Sequence, residues 1–277
     1  MKFIDPKTDF AFKKIFGSEQ SHDILASFLN GILYNGESAI LDLDILNPYQ
    51  APKIAGIKQS YLDVKARLAT GETVIIEMQL LNVEGFQKRI LYNAAKAYST
   101  QLQTGQGYPL LNPVIALTIT DFEMFLDIES VISRFVLKEK HYLVDYPIDD
   151  LELVFVELPK FQHSLEALTT LTEKWLYFLQ HADDFTVIPT PMETVPAIQQ
   201  AFELANEANL SADEIDEIEH QAIFIQDQRG AIALAAKQEK RKIAARLLDT
   251  MTDRQIAEVT ELSLADIQAL RQEQGGQ

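Results

Sequence analysis

The sequence contains no cysteine. That excludes a disulfide framework and any thiolate metal site, and it suits a reducing, cytoplasmic setting. Long apolar runs are missing too. No stretch approaches the ~18 uninterrupted apolar residues of a membrane-crossing helix. The N-terminus, Met1-Lys2-Phe3-Ile4-Asp5-Pro6, puts an acid and a proline where a signal peptide needs an apolar run. No membrane partner is expected. There is no Gly-rich phosphate loop, which argues against ATP or GTP. The five histidines, His22, His141, His163, His181 and His220, show no metal-ligand spacing. Positive charge is scarce: 24 Lys and Arg stand against 41 Asp and Glu, a net charge of −17.

A uniform excess of that size would repel nucleic acid. The excess is not uniform. Residues 1–120 hold 11 basic and 11 acidic side chains, whereas residues 121–277 hold 13 and 30. Only the first part of the chain is electrostatically open to a polyanion.

Within that part, Asp9–Phe16 and the run from Ser21 have helical spacing, and Ala39–Leu46 alternates as a strand. Tyr61–Leu68 alternates with Leu62, Val64, Ala66 and Leu68 on the even face. After the Thr70-Gly71-Glu72 turn, Thr73–Leu80 repeats the pattern with Val74, Ile76, Met78 and Leu80. The two runs form a hairpin with an odd-length loop. Its polar odd face gathers Asp63, Lys65, Glu77 and Gln79. Asp63 falls opposite Gln79 with a three-residue loop and opposite Glu77 with a five-residue loop. Residues 84–104 read as a helix whose inner stripe is Leu91, Ala95, Tyr98 and Leu102, with Arg89, Asn93 and Lys96 on another face. Val114–Ile119 is a buried strand, parallel because a helix precedes it. The order over residues 8–120 is therefore α-β-β-β-α-β.

Two carboxylates in strands are costly unless paired, hydrated or bound to metal. Asp63 and Glu77 offer the hard oxygen ligands that suit Mg²⁺. The main-chain carbonyl of Met78 can add a third ligand, and Gln79, on the same face as Glu77, can reach an attacking water or a phosphate.

This arrangement resembles the PD-(D/E)xK nuclease motif, with Gln79 in the usual Lys position. The chain is similar to the Rpn family of recombination-promoting nucleases and transposases. The resemblance lies in Asp5–Gly17, in Leu62-Asp63-Val64-Lys65-Ala66, in Ile76-Glu77-Met78-Gln79, in Arg89-Ile90-Leu91-Tyr92 and in Ile119-Thr120-Asp121-Phe122. It implies a restriction-endonuclease-like α/β fold and a metal-dependent DNA endonuclease. Asp63 and Glu77 would bind Mg²⁺ or Mn²⁺, and Asp9 would occupy the place of an extra acid. Glutamine carries no charge, so Lys65, Arg89 or Lys96 is needed as the cation. Arg89, Lys96 and Lys13 form the expected phosphate-binding set, although Lys13 also reads as part of a solvated helix face. A role in recombination, transposition or mobile-element defence rests on family analogy alone. The competing reading is a nuclease fold without turnover, acting in DNA or protein binding.

The expected domains are an α/β unit over 1–160 and a mostly helical, acidic region over 161–277. The latter ends in a helix-turn-helix-like tail, 253–271, in which Glu261 takes a turn position that suits glycine. Its second helix has Asp266 and Glu273 against Arg271, poor for phosphate contact and better suited to packing or self-association into a homo-oligomer.

Overall fold

The computed structural model describes residues 2–50 and 60–275. The side chain of Tyr61, expected on the odd face, lies outside the described residues, as do the last two residues of the expected C-terminal region. The chain divides into two compact units, Met1–Gln221 and Ala222–Gln277.

The first unit is a six-stranded sheet with helices on both faces. Helices α1 (Asp9–Phe16) and α2 (His22–Leu33) come first, then strands β1 (Leu43–Leu46), β2 (Tyr49–Gln50), β3 (Ser60–Tyr61), β4 (Val64–Leu68) and β5 (Thr73–Gln79). Helix α3 (Phe86–Ser99), strands β6 (Val114–Thr120), β7 (Ile132–Phe135) and β8 (Leu151–Glu157), and helices α4 (Leu171–His181), α5 (Thr190–Glu193) and α6 (Pro196–Leu204) follow. The sheet order is β1-β4-β5-β6-β8-β7, and β2 pairs only with β3. The β4–β5 hairpin is antiparallel, and β5, β6 and β8 are parallel, with α3 as the crossover between β5 and β6. The expected α-β-β-β-α-β order is present, with α2 and the β2–β3 pair added to it.

One face of the sheet carries the main core. Val64, Ala66, Val74, Ile76, Leu117 and Val154 pack there with α1, α2, α4 and α6. The helices interlock through aromatic rings: Phe16 lies 4.8 Å from Phe28 and 5.8 Å from Trp175, and Phe178 lies 4.9 Å from Phe202. Residues 165–205 thus contribute to the same core as α1 and α2. The boundary expected near residue 160 falls inside the first unit, because α4 and α6 share one core with α1, α2 and the sheet. The expected helical region is broken into short helices. A 3₁₀ turn, Leu165–Ala167, precedes α4, and Pro196 starts α6 as a fresh helix because it has no N–H to continue α5.

The other face is also buried, contrary to the expectation of a polar odd face. Ile75, Val114 and Ala116 pack against Ala94 and Ala97 of α3, the small residues allowing close approach. Of the expected inner stripe of α3, Leu91, Ala95, Tyr98 and Leu102, only Tyr98 packs against this core; Leu91 and Ala95 are exposed and Leu102 lies beyond the helix. Phe86, Ile90, Asn93, Ala94 and Ala97 face inward, while Leu91 is 52 % exposed. Parallel central strands are covered on both sides, and this turned the helix to present Asn93 to the sheet. Leu62 also departs from the alternation: it joins the α3 face with Ile75, whereas Val64 joins the main core. A bend at Asp63 separates them.

In the second unit, the last turns of α7 (Ala212–Leu247), with α8 (Asp253–Thr260) and α9 (Leu264–Gly275), enclose Ala244, Leu248, Ile256, Leu262, Ile267 and Leu270. Glu261 caps α8 at φ 55° in the left-handed region, where the sequence had suggested a glycine-like turn. The basic residues here face acids of the same unit: Lys237–Asp266 at 3.1 Å, Arg241–Glu273 at 3.0 Å and Arg271–Asp253 at 2.7 Å. Residues 222–277 hold 8 basic and 8 acidic side chains, so the acidic excess is confined to residues 121–221, with 5 and 22. Among the described residues, no helix is long and apolar enough to cross a membrane.

Trp175 is fully buried between α2, α4 and the sheet-side aromatics. Trp175→Ala is expected to cost about 3–5 kcal/mol in urea unfolding of the full chain. A loss under about 1 kcal/mol would show that residues 161–221 are not part of the shared core.

Candidate active site

The site lies where β4 ends against β5. The hairpin pairs Val64 with Ile76, Lys65 with Ile75 and Arg67 with Thr73, the register that carries Asp63 opposite Glu77. The ladder stops at Val64–Ile76. Asp63, at the bend, does not continue it. Its Oδ2 instead accepts the main-chain N–H of Met78 at 2.7 Å. A bend of this kind re-aims a side chain from the face of a strand toward its edge. In a strand the N–H and C=O of one residue point to the same edge, so the Met78 carbonyl also faces the gap beyond β4.

Glu77 is buried, 8 % exposed, on the α3 face of β5. Its Oε1 accepts a hydrogen bond from Asn93 Nδ2 at 2.5 Å. Its Oε2 lies 3.6 Å from Arg89 Nε. Arg89 also donates to Gln79 Oε1 at 2.5 Å, and the Gln79 amide donates to the Leu81 carbonyl at 3.0 Å. Of the three cations considered for the lysine position, Arg89 stands at Glu77 and Gln79. Lys96 is buried, its ammonium 5.8 Å from the Tyr92 ring and its pKa lowered by burial. Lys65 makes no ion pair among the described residues; burial and the neighbouring Arg67 lower its pKa.

Helix α1 approaches from the other side of the sheet. Asp9 lies in its first turn, and Lys13, one turn later, contacts Asp9 Oδ1 at 2.6 Å and stands 3.9 Å from Asp63 Oδ1. Lys13 thus sits at the carboxylates rather than on a purely solvated face. Burial pushes the Asp63 carboxyl up to about 7; the Met78 N–H opposes this, the Asp9 and Glu77 charges add to it, and Lys13 offsets part of it.

The sequence pattern did not single out Asn93 as the partner of Glu77. The signal was there: a carboxamide one turn after Arg89, on a helix that must cover a strand bearing a glutamate. Glu157 is fully buried on β8 and accepts the N–H of Phe125 at 3.0 Å while pairing with Lys160 at 2.7 Å. Together they fix the loop after β6, whose Phe122 packs on Phe86 at the start of α3. Among the described residues, no three His, Cys, Asp or Glu side chains converge as a metal site. Any metal here would therefore be held by two carboxylates, a main-chain oxygen and water, a donor set that suits Mg²⁺.

Asn93 is 2 % exposed and its Oδ1 has no partner among the described residues, so its donor to Glu77 is its one side-chain hydrogen bond. Asn93→Leu, of similar size, strands a buried carboxylate oxygen and is expected to cost about 1–3 kcal/mol in denaturant unfolding. Unchanged stability would show that Asn93 does not hold Glu77.

A family model described as PD-(D/E)XK nuclease family transposase matches residues 6–235, a span that includes Asp9, Asp63, Glu77, Gln79 and Arg89. No curated protein and no solved structure matches the chain. The six-stranded mixed sheet and this match agree, and the chain belongs to the PD-(D/E)XK nuclease family of transposases.

Proposed function

We propose that the protein is a cytoplasmic DNA endonuclease that hydrolyses phosphodiester bonds with Mg²⁺ or Mn²⁺ held by Asp63, Glu77 and the Met78 carbonyl. One observation carries this reading. Each carboxylate has one oxygen fixed by an amide N–H, from Met78 or Asn93, and the other beside a cation, Lys13 or Arg89, at 3.9 and 3.6 Å. Two oriented oxygens facing positive charge across one strand end fit a divalent ion. When bound, such an ion stabilises charge on a phosphate oxygen and lowers the pKa of a coordinated water.

The residues around it divide the remaining work. Arg89, already at Glu77 and Gln79, supplies the positive charge that a lysine would bring and meets charge developing on the phosphate. Gln79 cannot act as a base; its amide orients a water or a phosphate oxygen. Asp9 and Lys13 set the local charge around Asp63.

Gln79 favours a second reading, a nuclease fold that binds without turnover, because the position normally charged is neutral here. Mn²⁺ titration calorimetry and nicking of supercoiled plasmid separate the two. Asp63→Asn and Glu77→Gln keep the hydrogen bonds and are expected each to abolish Mn²⁺ binding and nicking with unchanged circular dichroism. Nicking that persists in both variants would sink the site assignment. Metal binding by a wild-type chain that never cuts would favour the second reading. Arg89→Gln is expected to slow nicking about 10²–10³-fold, with Arg89→Lys in between; equal rates for all three would remove Arg89 from the site.

A further inference from the structure

Beyond the carboxylate pair, strand β4 carries two cations that pair with no acid among the described residues. Lys65 pairs in register with Ile75 and Arg67 with Thr73. Ile75 faces α3, as does Glu77, so Lys65 and Arg67 lie on the Glu77 side of the sheet. Helix α3 packs over β5, β6 and β8, and Arg67 on β4 is exposed. Neither cation has an ion pair or hydrogen bond among the described residues. In a chain of net charge −17 they share this with Lys88 and Lys140 of the same unit, whereas most other cations there are paired. Lys2, Lys7, Lys14, Arg134, Lys138 and Lys160 of the same unit each contact a carboxylate. Arg67 even has Asp44 as its direct cross-strand neighbour on β1 and forms no ion pair with it.

We propose that Lys65 and Arg67 form a phosphate track that leads a DNA strand to the carboxylates. Alternate residues of a strand are spaced by about 6.6 Å, comparable to the step between neighbouring phosphates of an extended strand. Lys65 and Arg67 stand at that interval on β4, which begins one residue after the bend at Asp63, so a strand whose scissile phosphate lies at Asp63 and Glu77 presents its following phosphates to Lys65 and Arg67. These contacts read no sequence. They give register and affinity through release of counterions. The proposal rests on the nuclease reading only in taking DNA as the ligand.

The test measures binding of a short fluorescein-labelled DNA duplex to the full chain by fluorescence anisotropy across a KCl series, with EDTA present so that cleavage plays no part. The double variant Lys65→Gln/Arg67→Gln is expected to lower the slope of log K against log salt by about 2, whereas Lys65→Arg/Arg67→Lys keeps it. Exposed Arg67→Gln alone, expected to lower the slope by about 1, serves if the double variant fails to fold. An unchanged slope in the Gln variants overturns the track, as does an equal loss in the charge-preserving variant or a wild-type chain that does not bind the duplex. A wild-type chain that binds with the predicted slopes but never nicks leaves the track standing and removes the nuclease reading. Nicking with unchanged slopes removes the track alone.

Discussion

The hydrogen bond from the Met78 N–H to Asp63 Oδ2 is the constraint on which the site depends. An antiparallel ladder left to continue would have satisfied that N–H with a carbonyl from the neighbouring strand and kept Asp63 on one face, remote from α1. By bending at Asp63, the chain gives the N–H a carboxyl oxygen as its acceptor. The same bend opens the strand edge where the Met78 carbonyl lies. It lets residues from both sides of the sheet reach one point: Asp9 and Lys13 on α1 from the main-core side, Arg89 and Asn93 on α3 from the other. Neither helix could serve both carboxylates by itself, because the sheet stands between them.

Electrostatics follows from that convergence. Acids in low-dielectric surroundings favour their protonated form, and burial is the leading cause for Asp63. The protein answers with dispersed partial compensation: two amide donors, a lysine shared between Asp9 and Asp63, and an arginine shared between Glu77 and Gln79. None of the cations makes a direct hydrogen bond to the oxygen it faces across 3.6 or 3.9 Å. The acidic surplus of the chain is kept in residues 121–221, away in sequence from the strands that carry the site.

Much of this was legible in the residues. The odd-length hairpin loop, the parallel β6 and the left-handed Glu261 follow from alternation and turn chemistry, whereas alternation left Asp63 opposite either Gln79 or Glu77, and the strand register selects Glu77. What alternation could not show was the second cover. Ile75 was one apolar residue among polar neighbours, and a period-2 pattern cannot tell a solvated polar face from one roofed by a helix bearing alanines. The same blindness misplaced the stripe of α3 onto Leu91, since the partner of Asn93 is a buried glutamate rather than an apolar side chain. The break at Leu62 was hidden because leucine satisfies either face. Residues 161–221 read as a separate helical region because their apolar stripes do not name the surface they cover; only the packing of Trp175 and Phe178 does.

The parity change across Leu62-Asp63-Val64 has a consequence of its own. Leu62 belongs to the α3 face and Val64 to the main core, so three consecutive residues are anchored in two separate interiors with the Asp63 carboxylate between them. The segment has no slack. A single-residue insertion or deletion there cannot be absorbed as a local loop change. It would exchange the interiors served by Leu62 and Val64 and rotate Asp63 off the strand edge, which makes this tripeptide the least length-tolerant stretch of the domain.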